Sequence, residues 1–202
     1  MATHAEAAAP HEHHGPPEPH FSSRISPVML GILLFIASEV MLFGAFFTAY
    51  FFVRVVAGSP WPEPPFHLPV FVAGVNTAIL VTSSFTIHWA LQSIKKDNRA
   101  GLQAGLVLTI ALGLVFLLTQ FREYSRIGFA PSDGAFGSIF FGLTGLHGAH
   151  VFVGLTLLTF AAIRSFRGHF SAAHHHGVEI PGIYWHFVDV MWIVVYTTIY
   201  IL

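Results

Sequence analysis

Tyr184-Trp185-His186-Phe187-Val188-Asp189-Val190-Met191-Trp192, continued by Ile193-Val194-Val195-Tyr196, is an apolar run with one carboxylate and one imidazole set into it. Read as a helix, it places His186, Asp189, Ile193 and Tyr196 at i, i+3, i+7 and i+10, on one face. In lipid, an ionisable pair on one face is costly unless that face meets protein. The helix must therefore dock, and what it docks against decides the fold.

The same apolar character recurs upstream in blocks at roughly 28–56, 69–93, 101–120 and 136–163, with 183–202 as the fifth. A bilayer is spanned by about 20 consecutive apolar residues. The 202 residues are 54% hydrophobic and 9% charged, which leaves too little polar surface for a soluble domain. The expectation is an all-α membrane protein, a bundle of five transmembrane helices forming one domain over 24–202. There is no cysteine, hence no disulfide framework and no thiolate metal site. A net charge of −1 argues against nucleic acid as a partner.

Residues 1–23 read as a tail rich in His, Pro and Ala, with His11-Glu12-His13-His14 inside it. With so little to bury, disorder is predicted. The histidines are metal-capture candidates, but no matching ligands stand at fixed spacing, and a solvated tail is favoured. No Lys or Arg precedes Arg24 and no apolar core precedes Pro27, so the start does not read as a secretory signal peptide.

The first block, about 29 residues, gives a helix of roughly 43 Å, longer than a ~30 Å hydrocarbon core. Gly44 with Thr48, Ala45 with Ala49, and Gly101 with Gly105 are small residues four apart, a spacing that lets helices approach closely. Ser132 or Asp133 is placed to cap the fourth helix. Lys and Arg are biased toward one side, with Arg24, Lys95, Lys96, Arg99, Arg164 and Arg167 there against Arg54, Arg122 and Arg126. The bias predicts a cytoplasmic N-terminus and an outside C-terminus.

The polar residues inside the blocks carry the functional question. Glu39, about 12 residues into its helix, lies roughly 18 Å deep. It reads equally as a proton-relay or proton-antenna group and as a neutral carboxyl bonded to a neighbouring helix. His147 and His150 allow haem or metal ligation, with His186 and His88 as the opposing pair. Polar contact across close-packed glycines is the favoured alternative, because no His-Glu-x-x-His or paired Glu-x-x-His pattern accompanies them. Asp189 is expected to accept from His186 or from an imidazole of the fourth helix. It has no nucleophile beside it. Trp185, Trp192, Tyr196 and Tyr200 read as packing and interface residues. Arg122, Arg164 and Arg167 are candidates for lipid-headgroup contact.

Five motifs occur in order: Ser38-Glu39-Val40-Met41-Leu42-Phe43, Gln120-Phe121-Arg122-Glu123-Tyr124, Ser132-Asp133-Gly134-Ala135-Phe136-Gly137-Ser138, Thr144-Gly145-Leu146-His147-Gly148-Ala149-His150-Val151 and Tyr184-Trp185-His186-Phe187-Val188-Asp189. From about residue 24 onward the chain resembles subunit III of the haem-copper oxidases, specifically of cytochrome c oxidase, in the short five-helix bacterial form that lacks the first two helices of longer members. The resemblance implies a non-catalytic subunit with no cofactor of its own, in a respiratory complex that reduces oxygen and translocates protons across the bacterial inner membrane. Haem and copper are then expected in partner subunits I and II, with subunit I the main contact and a small subunit IV a further neighbour. Cytochrome c would serve the complex rather than this chain. It also implies that Glu39 supports proton uptake, that His147, His150, Trp185, His186 and Asp189 form the family core, and that phospholipid is held nearby. The same subunit of a quinol oxidase or nitric oxide reductase, and a bis-His b-type cytochrome, stay open beside it.

Overall fold

The computed structural model describes residues 26–58, 61–62, 67–172 and 174–202. The tail over 1–23 and its histidine cluster lie outside the described residues. Five helices follow in order: α1 Pro27–Ala57, α2 Val70–Lys95, α3 Arg99–Tyr124, α4 Gly134–Phe166 and α5 His176–Tyr196, the last running into a π-helical turn, Thr197–Ile201. All five are long and apolar enough to cross a membrane.

The helix ends follow from local chemistry. Pro27 opens α1 behind Ser26, whose Oγ accepts from the Met29 N–H at 3.2 Å, and proline costs nothing where the N–H has no intrahelical partner. Asn98 caps α3 by accepting from the Gly101 N–H at 2.9 Å. Asp133 does not cap α4. Its Oδ2 instead accepts from the Ala130 N–H at 2.8 Å and braces the preceding turn, while Gly134 turns into the helix at φ 82°. A left-handed φ of this kind suits glycine, which has no Cβ to clash.

Helices α2, α3, α4 and α5 form a ring in which each packs on the next and α5 closes back onto α2. α1 stands outside the ring, against α4 and α5. In its most apolar window only 6% of α1 is buried, against 61% for α5. α5 is thus the inner wall and α1 an outlying strut.

The ring's centre is filled by two indoles of α5, Trp185 and Trp192, both fully buried. Glycines make room for the first. A Cβ on Gly113 of α3 or Gly154 of α4 would stand 2.6 Å or 2.8 Å from the Trp185 ring. Gly105 plays the same part between α3 and α2, where its Cβ would meet that of Ala90 at 2.7 Å. Gly44, by contrast, has nothing within 4 Å. The face that carries Gly44 and the exposed Thr48 is thus turned away from the ring.

Candidate functional site

The first of three polar sites is built by α5 against α2. With Trp185 and Trp192 turned inward, each held by an indole hydrogen bond to α2, the neighbouring His186 and Asp189 swing toward that helix. Trp185 Nε1–H donates to Ser83 Oγ at 2.8 Å and Trp192 Nε1–H to Thr77 Oγ1 at 2.9 Å. Ser84 then bridges the ionisable pair. Its hydroxyl donates to Asp189 Oδ2, and its Oγ lies 3.0 Å from His186 Nδ1. The partner of Asp189 is therefore neither His186 nor an imidazole of α4 but a serine, and the sequence reading is corrected on this point. Asp189 Oδ1 is buried with no hydrogen-bond partner among the described residues.

The second site joins α1 to α4. His150 stands at the midpoint of α4, and its Nε2 lies 2.8 Å from Glu39 Oε2. Its Nδ1 lies 2.8 Å from the Leu146 carbonyl oxygen. A carbonyl only accepts, so Nδ1 carries a hydrogen. Between Nε2 and Oε2 there is then room for one proton. A neutral ring accepts it from the carboxyl, and a charged ring donates it to the carboxylate. Phe43 and Phe187 pack their rings 5.0 Å and 6.4 Å from the imidazole. The side chains of His150 and Glu39 are 11% and 17% exposed, so the pair is sheltered but not sealed.

The third site is His147, one turn away on α4 and facing the ring's interior. Its imidazole is wholly buried, 4.8 Å from the Trp192 ring and 5.7 Å from that of Phe116. Neither nitrogen has a hydrogen-bond partner among the described residues. The cross-helix bond expected of both α4 imidazoles is made by His150 alone. The helix turns His147 through about 300° relative to His150, and that side of it is lined by aromatic rings.

The structure does not bring together the four histidines of the ligation reading. Both nitrogens of His150 are occupied, His147 is walled in by rings, and His186 and the exposed His88 face another side of the bundle. Among the described residues no three His, Asp or Glu side chains gather closely enough to share an ion. Arg122 lies exposed at the end of α3, and Arg164 and Arg167 at the end of α4, hence at opposite ends of the bundle. Arg164 stacks its guanidinium over the Phe170 ring at 5.6 Å.

The α2 hydroxyls that clamp α5 (Thr77, Ser83 and Ser84) escaped the sequence reading. Thr82-Ser83-Ser84, with Thr86 beyond, is a hydroxyl run inside an apolar span. Hydroxyls in a span are available to bond across helices, and that was the signal to follow.

The family model described as cytochrome c oxidase subunit III matches residues 18–202. Cytochrome c oxidase subunit 3 of Thermostichus vulcanus is 42% identical over 175 residues, covering 86% of this chain and 87% of that protein. The protein of the same name from Oryctolagus cuniculus is 42% identical over 176 residues, covering 84% and 67%. That from Damaliscus lunatus is 40% identical over 187 residues, covering 90% and 72%.

Proposed function

Because this chain belongs to the cytochrome c oxidase subunit III family, we propose that it is the non-redox third subunit of a bacterial oxidase, seated against the haem- and copper-bearing subunit I. Residues 24–202 form its membrane domain, with the N-terminus on the cytoplasmic side and the C-terminus outside. The extent to which it covers the Thermostichus vulcanus relative supports the short bacterial form. The family's chemistry belongs to haem and copper, and His150, at the middle of α4, has both ring nitrogens engaged, by Glu39 and by the Leu146 carbonyl. No step of oxygen reduction is therefore assigned to its residues.

The observation that carries its role is the Glu39–His150 pair, with one proton held between a carboxyl and an imidazole near the middle of the membrane. The Leu146 carbonyl fixes the ring so that Nε2 faces the carboxyl. The proton can sit on either group without either leaving hydrogen-bond contact. Such a pair stores and passes a proton without exposing bare charge to lipid. We assign Glu39 to the support of proton uptake by the neighbouring subunit. At the surface, Arg122, Arg164 and Arg167 offer cationic contacts to phospholipid headgroups. An apolar groove between α3 and α4, lined by Leu117, Phe121, Phe152 and Phe160, suits acyl chains.

Glu39→Gln in the assembled oxidase tests this. The amide N–H can still donate to His150 Nε2, so assembly is kept while the mobile proton is lost. Proton uptake during turnover is expected to fall, by far less than the ~10²-fold of a group that transfers a proton in the rate-limiting step. Unchanged turnover, pumping and inactivation rate together would refute the role of Glu39.

A further inference from the structure

The α2–α5 seam turns a ladder of polar groups toward the bilayer. Gln92 and His88 on α2 are exposed, and His186 on α5 is half-buried. By helical rise, His88 lies about 10 Å and Ser84 about 16 Å from the Lys95 end of α2. His186 lies about 15 Å from the start of α5, at the same end of the bundle.

Their hydrogen bonding is incomplete. The Ser84 hydroxyl commits its proton to Asp189, so Ser84 Oγ accepts from His186 Nδ1–H. In the neutral ring Nε2 is then a bare acceptor, open to the outside and without a partner among the described residues. The contact of His88 is a long one, its Nε2 lying 3.4 Å from Gln92 Nε2. The exposed hydroxyls elsewhere behave differently. Those of Ser38, Thr48, Thr82 and Thr156 each bond a carbonyl of their own helix and ask nothing of the surroundings. A polar group left open within the hydrocarbon is costly unless it is satisfied.

We infer that the outer face of α2 along its seam with α5 is the surface on which a partner membrane subunit docks, and that the partner's facing helix presents a hydrogen-bond donor to His186 Nε2 beside His88. This inference rests on the reading of the chain as a subunit of a larger membrane complex. Lipid does not meet the need. Acyl chains have no donor, and His186, about 15 Å in from the start of α5, lies below the headgroups. The rest of the face suits a helix. Gly74 and Ala78 flank a shallow groove beside Tyr196, and small residues let a second backbone come close. Phe85, 71% exposed on the same side, supplies an aromatic knob.

Two other faces are available and are less suited. The α3–α4 groove is lined almost wholly by apolar side chains, which hydrocarbon satisfies. The α1–α4 side carries Glu39, but His150 already pairs with it and most of both side chains is covered.

The test places a photo-crosslinking amino acid singly at Phe85 on α2, Met41 on α1 and Phe152 on α4, in the assembled complex in native membranes. Phe85 is expected to capture a polytopic partner subunit more efficiently than either other position. Equal or weaker capture from Phe85 would overturn the assignment of this face while leaving the subunit reading intact. Failure of any larger membrane protein to co-purify with the chain would instead remove the subunit reading itself, and this inference with it. As a second measurement, the double variant His88→Leu/His186→Leu is expected to lose the partner about tenfold faster in detergent. Unaltered retention of this double variant would count against the proposal whatever the crosslinks show.

Discussion

Single side chains in this protein matter through the partners they leave behind. Ser84 is one hydroxyl in an apolar helix, yet it holds both His186 and Asp189. Ser84→Ala would strip Nδ1 of His186 and Oδ2 of Asp189 of their partner in a place with little water. An unsatisfied buried polar group costs roughly 1–3 kcal/mol. Thermal unfolding in detergent is expected to show a loss of at least that size, larger than for Thr82→Ala, whose hydroxyl bonds only the Ala78 carbonyl of its own helix. Equal effects of the two variants would mean that Ser84 is not a bridge. The importance of Ser84 was not legible from the sequence. The sequence showed that Asp189 needed a partner in the membrane. It did not show helix rotation, and rotation is set by where Trp185 and Trp192 find room.

Whole helices were easier to read than their contacts. Five long apolar blocks specify five spans, because a bilayer filters for length and hydropathy almost without regard to packing. Contacts between helices depend instead on shape. The Gly101 and Gly105 spacing falls on the α2–α3 interface, whereas at Gly44 a Cβ would have no described atom within 4 Å, and spacing alone could not separate the two cases. Gly113 and Gly154 are the sharper example, since both receive the ring of Trp185 from across the bundle. Gly154→Ala is expected to destabilise the α4–α5 contact by about 1–3 kcal/mol, the usual cost of overpacking a filled core. Gly145→Ala should be nearly neutral, because open space surrounds that position. Comparing the two unfolding midpoints in the same detergent checks the claim, and indistinguishable midpoints would contradict the packing described for Trp185. The pairing of Glu39 with His150 was hidden for a related reason. Nothing in the α1 sequence says which neighbour its carboxyl will face.

At the scale of the molecule, the ring and the strut should differ in how readily they open. α1 buries little and leans chiefly on α4 and α5, while α2 to α5 support one another around a common core. Hydrogen exchange in detergent is expected to run faster over Phe35–Thr48 of α1 than over Leu106–Leu117 of α3, since local opening follows buried contact. Equal protection of the two segments would show that α1 is bound as tightly as the ring. The closure of the ring between α2 and α5 bears also on how the protein is made. A ribosome delivers α2 well before α5, with some 80 residues between the end of the first and the start of the second. During that interval Ser83, Ser84 and Thr77 have no tryptophan or carboxylate to receive, and α3 with its glycines faces an unfilled gap. The nascent bundle must wait in an open, unlatched form, guarded by insertion machinery or by lipid, until its final span arrives and locks it.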